Sequence, residues 1–320
     1  MKIFTKNIAT ALPLSLLFVA ALPMPADAYQ QTLTCTRSGP YACQSGETPL
    51  PVLWPGAQAT FVINDRGTAN STAPPGLSQP ILDTILESFE AWNQVECPGF
   101  DLPDNCSDML LTYEGITAQS AIGYEQSSSA QNTNLVVFRD SGWDQVASDL
   151  TFALTSVTYN PRTGQIVDAD LEINSEIYHL NVGDPVDPNL ADLKNTLVHE
   201  VGHFVGMDHS TVPRATMYAS ADLGETMKRD LAPDDVDGIC ASYPPSFVAE
   251  RTCDNPYIHP NPNPNPNEGH VDDGIVDPGN DDDLFLCSTT PGGRRSIPVF
   301  FVGFAALLGL RFLRSGLKRA

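Results

Sequence analysis

The segment that most constrains this chain is His199-Glu-Val-Gly-His203-Phe-Val-Gly-Met-Asp-His209. Residues four apart on a helix lie one above the other, so His199 and His203 can bind one ion with Glu200 beside it. Gly206 has no Cβ and can turn left-handed, which ends the helix and brings His209 back as a third ligand. Three protein ligands leave a fourth position for water. We therefore predict one catalytic zinc ion with Glu200 as the general base.

A zinc site kept only for structure is the main alternative interpretation of this segment. A closed structural site needs a fourth Cys or His ligand, and the only Cys or His between Gly206 and Asp230 is His209. Glu200 is not a ligand and would have no role in such a site. The remaining histidines are predicted to lie on the surface or in loops: His179, His259 and His270.

The pattern H-E-x-x-H-x-x-G-x-x-H resembles the active-site motif of the metzincin zinc endopeptidases. The Met-turn of that family is matched by Thr216-Met217-Tyr218, eight residues after His209, and Ser210 with the Met-Tyr pair is similar to the matrixin (M10-type) branch. The resemblance covers about residues 60–245. It implies a zinc metalloendopeptidase of the EC 3.4.24 type, with a polypeptide substrate and with Met217 as an apolar floor beneath the zinc.

The resemblance also implies how a substrate would bind. Matrixin substrates lie antiparallel to an edge strand, which in this sequence corresponds to residues 152–159. Backbone pairing of this kind binds the substrate chain, while a pocket selects side chains. Residues 212–222 are expected to form one wall of that pocket.

Two features depart from the matrixin pattern. The segment Val167-Asp168-Ala169-Asp170-Leu171 has no histidine, so the second, structural zinc of matrixins is not expected. Asp168 and Asp170 occupy the neighbourhood where matrixins bind calcium, and as strand-turn residues they are equally well explained as polar caps. No Pro-Arg-Cys-Gly stretch occurs, so latency by a thiolate on the zinc is not expected.

Hydrophobic periodicity and the order of the elements predict an α+β fold. The resemblance implies its metzincin-like form, a twisted mixed sheet with an active-site helix and a C-terminal helix. An apolar stripe predicts a first helix over residues 80–95, and the histidine motif lies on a second, over 190–205. A third helix is predicted at 233–243. Strands are predicted at residues 59–64, 109–113, 134–138, 152–159 and 166–173.

Both ends of the chain carry patterns typical of protein targeting. Residues 1–28 combine two lysines, an apolar stretch and Ala26-Asp27-Ala28, as in a secretory signal peptide. An N-terminal core helix is the alternative, and the prolines in and after the apolar stretch argue against it. Residues 287–320 combine Cys287, a short apolar run and a basic end, resembling MYXO-CTERM sorting tails, although Leu286 replaces the usual Gly. This tail predicts attachment to a membrane or cell surface.

The region between these ends divides into a domain and a linker. Residues 29–250 are predicted to form the zinc protease domain. Residues 251–286 contain Asn-Pro repeats and an acidic run, which predict an extended linker rather than a calcium-binding loop. The predicted location is therefore secreted, and cell-surface or outer-envelope anchored.

Cysteine content agrees with export. Apart from Cys287, six cysteines remain, an even number that suits three disulfides in an oxidising compartment. Six cysteines allow 15 connectivities. Pairing of neighbours along the chain would join Cys35 to Cys43, Cys97 to Cys106 and Cys240 to Cys253.

Charge excludes one large class of function. Residues 29–286 hold nine Lys or Arg and 38 Asp or Glu, a formal charge of −29, so binding to nucleic-acid phosphates is not expected. We expect a soluble, monomeric domain.

A non-catalytic surface binding or adhesion module on the same fold is the second functional hypothesis, since the linker and tail would serve such a module equally well.

Overall fold

The computed structural model describes residues 29–36, 42–100, 105–126, 132–246, Cys253 and the backbone of residues 297–298. The predicted signal peptide, nearly all of the predicted linker and most of the predicted tail lie outside this described part. Within the described residues, no helix is both long enough and apolar enough to cross a membrane.

Helices and strands alternate along the described chain. The α-helices are α1 (Gln79–Asn93), α2 (Leu193–Phe204) and α3 (Pro233–Ser242), and short 3-10 helices occur at Pro55–Ala57, Trp143–Gln145 and Met227–Arg229. The strands are β1 (Gln30–Gln31), β2 (Gln58–Asn64), β3 (Leu110–Thr117), β4 (Leu135–Arg139), β5 (Ala153–Tyr159), β6 (Ile166–Asn174), β7 (Leu180–Asn181), β8 (Ala191–Asp192), β9 (Met207–Asp208) and β10 (Ile297–Pro298).

The main sheet has the strand order β10-β5-β6-β4-β2-β3. Strands β3, β2, β4 and β6 run parallel to their neighbours, whereas β5 runs antiparallel to β6. The backbone of β10 continues the sheet antiparallel to β5, opposite Ser156 and Val157. The predicted α+β fold with a mixed sheet is confirmed.

Helix α1 joins the sheet to α2. Ile81, Ile85 and Phe89 recur at four-residue steps and are fully buried, as expected for one apolar helix face. The ring of Phe89 stacks on Phe61 of β2, with 3.6 Å between ring centroids. The indole Nε1 of Trp92 donates a hydrogen bond to the carbonyl of Val198 in α2, at 2.8 Å. This packing sets the position of α2 above the sheet.

Helix α2 begins three residues later than predicted because Asp192 caps it. The Asp192 carboxylate accepts a hydrogen bond from the Asn195 backbone N–H at 2.9 Å, which satisfies one free donor of the first turn. Asp192 and Ala191 also form β8, which pairs with β7. The same carboxylate accepts from Arg229 at 2.6 Å, so the start of α2 is tied to the loop before α3.

Helix α2 ends at Phe204, and the chain reverses at Gly206 in the left-handed conformation, with φ at 91°. A Cβ on Gly206 would lie 2.2 Å from the carbonyl oxygen of Val52. Strand β9 follows at once and pairs with β1, so the N-terminal segment lies against the turn. The sequence-based expectation of a glycine turn after the helix is confirmed.

Strand β6 carries a buried polar face that the sequence analysis assigned differently. Asp168 and Asp170 lie inside the strand and are nearly fully buried, rather than at a strand turn. Asp170 accepts hydrogen bonds from the backbone N–H groups of Gly123 and Leu135, and Glu172 pairs with Arg139. A covering loop and neighbouring strand satisfy these carboxylates, because buried charges need partners.

The disulfide pairing corrects two of the three predicted bridges. Cys35–Cys43 forms as predicted, but the other pairs are Cys97–Cys240 and Cys106–Cys253. Pairing by nearness along the chain fails here because the sheet brings the end of α1 next to α3. The two long bridges each join residues more than 140 positions apart.

We expect Gly206→Ala to destabilise the domain much more than Gly183→Ala. Both glycines have positive φ values, but a Cβ at Gly183 meets no atom within 4 Å. The left-handed conformation alone costs Ala about 1–2 kcal/mol, and the backbone collision at Gly206 should raise the loss to at least about 3 kcal/mol. Urea unfolding measures both losses, and equal losses would contradict this account of the turn.

Candidate metal and catalytic centre

The three predicted histidines converge at one point. His199 and His203 lie on α2, and His209 follows the Gly206 turn; their ligand-capable ring nitrogens lie within 4.8 Å of one another. The Nε2 atoms of His199 and His203 are 3.1 Å apart. In the described part of the chain, this is the one group of three or more His, Cys, Asp or Glu side chains close enough to hold a metal ion.

Backbone carbonyls set the orientation of the two helix histidines. His199 Nδ1 lies 2.6 Å from the carbonyl oxygen of Thr216, and His203 Nδ1 lies 2.8 Å from that of Met207. A carbonyl only accepts hydrogen bonds, so each Nδ1 carries the proton and each Nε2 presents a lone pair to the centre. Such second contacts are how proteins orient histidine ligands.

Burial keeps these rings uncharged. His199 and His203 are almost completely buried, and burial lowers the pKa of each well below its ordinary value, helped by the neighbouring imidazoles. Burial also lowers the pKa of His209, although Asp208 opposes this. Neutral imidazole is the form that binds metal ions.

The donor set fits zinc. Two nitrogens bound to one zinc at about 2.0–2.1 Å in tetrahedral geometry lie about 3.3 Å apart, close to the observed 3.1 Å. His209 Nε2 is buried and has no hydrogen-bond partner among the described residues. A buried nitrogen without a partner is costly unless a ligand satisfies it. Three neutral nitrogens suit zinc, and the arrangement leaves one tetrahedral position for water.

Glu200 is fully buried on α2 between the two helix histidines. Its Oε2 accepts a hydrogen bond from the Thr155 hydroxyl at 2.7 Å, while its Oε1 has no partner in the described part of the chain. Burial raises the pKa of Glu200 to about 8, against the hydrogen bond from Thr155, which lowers it. A raised pKa makes the ionised Glu200 carboxylate a stronger base.

Met217 lies beneath α2, against a glycine that the sequence analysis did not single out. A Cβ on Gly202 would come within 2.2 Å of the Met217 sulfur and 2.7 Å of the Trp92 ring. Glycine inside a helix costs about 1 kcal/mol of stability relative to alanine. A glycine between the two histidines therefore indicates that another group packs closely against the helix at that position. It allows Met217 to pack directly under the ligand helix.

Asp235 holds the turn that carries Met217. Its buried carboxylate accepts hydrogen bonds from the backbone N–H groups of Thr216 (2.7 Å), Met217 (2.9 Å) and Ala232 (2.9 Å). The carbonyl of Thr216 in turn orients His199. Asp235 therefore helps to orient His199 through the backbone of Thr216. In the sequence, Asp235 is recognisable only as an acidic residue in the first turn of the predicted third helix.

A cavity of about 280 Å³ lies along the chain segment that was predicted to form the pocket wall. It is lined by Pro213, Tyr218, Ser220, Ala221, Asp222 and Glu225. All but Glu225 fall within residues 212–222.

The two aspartates considered for calcium do not belong to the three-histidine centre. Both Asp170 oxygens accept backbone hydrogen bonds, and neither Asp168 nor Asp170 belongs to a metal-binding group of the described residues. The backbone hydrogen bonds of Asp170 fit a structural role for that residue. His179 is on the surface, 2.7 Å from Asn70, whereas His259 and His270 lie outside the described residues.

Comparison with known proteins agrees with this geometry. A family model described as Matrixin matches residues 83–244. Metalloendoproteinase 1 of Glycine max is 48% identical over 52 residues, 16% of this chain and 17% of that protein. Metalloendoproteinase 1-MMP of Arabidopsis thaliana is 37% identical over 81 residues, 25% of this chain and 19% of that protein. The chain thus spans less than one fifth of the length of these relatives.

The mixed sheet and the three histidines on a helix and its following turn agree with the matrixin family model. Because the matching family model covers half of the sequence, the chain belongs to the matrixin family. Membership in this family implies zinc at the three-histidine centre.

We expect His209→Ala to weaken zinc binding by at least about 100-fold, because even the loss of a contact behind a ligand costs 10–100-fold. His179→Ala is the control, since that histidine lies on the surface and contacts Asn70. Zinc titration against a competing chelator measures both affinities. An unchanged affinity in His209→Ala would remove this residue from the ligand set.

Asp235→Asn should lower the free energy of unfolding by about 2–4 kcal/mol. An amide in place of the carboxylate turns an N–H group towards backbone donors, and each buried donor left without an acceptor costs about 1–3 kcal/mol. Asp237→Asn, on the exposed side of α3, is the matched control. Equal denaturation midpoints for the two variants would show that the carboxylate does not hold the turn.

Proposed function

We propose that this protein is a secreted, surface-tethered zinc endopeptidase that hydrolyses peptide bonds with Glu200 as its general base. One observation carries the proposal: a buried oxygen of Glu200, the residue directly after His199, has no hydrogen-bond partner in the described part of the chain, and His199 is one of three converging imidazoles. A structural zinc site would have no use for a buried carboxylate of this kind, whereas metal-assisted hydrolysis needs a base next to the bound water.

The proposed roles follow from the contacts of each side chain. His199, His203 and His209 would hold the zinc, which when bound lowers the pKa of a coordinated water and polarises the substrate carbonyl. Glu200 Oε1 takes a proton from that water, so that hydroxide adds to the carbonyl carbon of the peptide. The same oxygen then passes the proton to the leaving amine as the C–N bond breaks. Met217 packs beneath the ligand helix as an apolar floor.

Strand β5 is the proposed binding edge for the substrate chain. It lies next to α2, since Thr155 on β5 contacts Glu200. An antiparallel segment of the protein itself, β10, pairs with this edge opposite Ser156 and Val157, which supports the idea that the edge can accept an extended polypeptide. The cavity beside residues 213–222 would receive one substrate side chain.

Export and surface attachment are the remaining parts of the proposal. Three disulfides within or reaching the domain suit an oxidising compartment outside the cytosol. The signal-peptide pattern of residues 1–28 and the sorting-tail pattern of residues 287–320 support secretion followed by anchoring. Fractionation of cells producing the protein with and without residues 287–320 tests the attachment.

The test of catalysis compares the wild-type protein with Glu200→Gln and with Glu114→Gln, an exposed carboxylate on β3. We expect the zinc-loaded wild type and Glu114→Gln to cleave unfolded casein, and cleavage to stop when zinc is chelated. Glu200→Gln should keep its zinc but lose at least about 10³-fold in kcat, because the base is gone. Measurements of zinc content and cleavage rate on the same samples separate the two effects.

Two outcomes would overturn the proposal. Wild-type rates in Glu200→Gln would exclude Glu200 as the base. One zinc per chain without cleavage of unfolded proteins would favour the non-catalytic binding or adhesion module instead.

A further inference from the structure

Thr155 occupies an unusual position between the edge strand and the proposed base. It lies in the middle of β5, pairs with Leu171 of β6, and its side chain is fully buried. Its hydroxyl oxygen is 2.7 Å from Glu200 Oε2 and 3.1 Å from the Glu200 carbonyl oxygen. One side chain of the sheet thus contacts both the carboxylate and the backbone of the same residue on α2.

The two oxygens of Glu200 consequently have different environments. Oε2 is occupied by the Thr155 hydroxyl, whereas Oε1 is buried without a partner in the described part of the chain. A hydrogen bond to a charged acceptor is about twice as strong as one between neutral groups and has a defined direction. The Thr155 contact therefore restrains rotation of the carboxylate and leaves Oε1 as the oxygen available for another partner.

We propose that Thr155 is a positioning residue that aims Glu200 Oε1 at the reacting water and ties the base to the strand that binds the substrate. This inference rests on the proposed peptidase function. Ser156 and Val157, next to Thr155, are the residues that pair with an antiparallel segment along the edge. A substrate chain on this edge would therefore be held at a defined distance from the base, and misplacement by about 1 Å can cost a large part of the rate.

Thr155→Val tests this inference because valine keeps the branched shape and removes only the hydroxyl. We expect kcat to fall by about 10- to 100-fold, the usual effect of losing a hydrogen bond to a charged group. KM should change less than about twofold, since the β5 backbone that pairs with the substrate is retained. Zinc content should stay at the wild-type level.

Two further variants separate positioning from a purely structural role. Thr155→Ser retains the hydroxyl and should keep kcat within about threefold of the wild type. Thr84→Val removes a buried hydroxyl from α1, where it donates to the Pro80 carbonyl, and we expect no change in kcat. If Thr155→Val keeps the wild-type kcat, if Thr155→Ser loses as much activity as Thr155→Val, or if the loss appears in KM, the inference is wrong.

A measurement without activity checks the contact independently. In zinc-free protein, urea midpoints are compared for Thr155→Val, Glu200→Ala and the double variant; residues in direct contact are not additive. We expect the double variant to shift by less than the sum of the single shifts, and additive shifts would overturn the inference. Wild-type protein that cleaves no peptide would refute the proposed function, whereas active wild type with an equally active Thr155→Val would refute the role of Thr155 alone.

Discussion

The close approach of two neutral imidazole nitrogens inside a buried site is the constraint on which the rest of the structure depends. The Nε2 atoms of His199 and His203 lie 3.1 Å apart, and a bound cation would make this arrangement favourable. Each ring keeps its orientation through a carbonyl, from Thr216 for one and from Met207 for the other. One carbonyl lies in the turn before Met217 and the other in the two-residue strand β9, and both segments need support of their own.

That support comes from elements far apart in the sequence. Asp235 on α3 binds the backbone of Thr216 and Met217, and β1 pairs with the strand that contains Met207. Tyr243, just after α3, donates to the carbonyl of Val205 at the end of α2. The long disulfides join the regions of α1 and α3. These elements around α2 together fix the positions of the Thr216 and Met207 carbonyl oxygens, which orient the two helix histidines.

Burial has a second effect, on the proposed chemistry. In a site shielded from water, the pKa of each histidine falls and the pKa of Glu200 rises, so that metal binding and proton transfer both become favourable near neutral pH. The same burial makes a polar contact such as that of Thr155 strong and directional. The three histidines and Glu200 thus depend on burial in one shared environment.

Local patterns in the sequence predicted the elements and the metal ligands, because both depend on spacing along the chain. The periodicity of α1, the strand positions, the turn at Gly206 and the convergence of His199, His203 and His209 all follow from neighbouring residues. The start of α2 could be predicted only to within three residues, because its cap also belongs to β8. Asp168 and Asp170 were interpreted as strand-turn residues but lie buried inside β6, because which part of a strand is covered depends on packing.

Only the tertiary structure decided which distant residues meet. Two disulfide pairings, the contact between Thr155 and Glu200, and the hold of Asp235 on the Met217 turn each join residues of separate elements. No spacing rule encodes such contacts, since they depend on how the sheet and the helices pack. The sequence by itself determined that a three-histidine zinc site with a neighbouring carboxylate can form, while packing decided how that carboxylate is aimed and what holds the ligands in place.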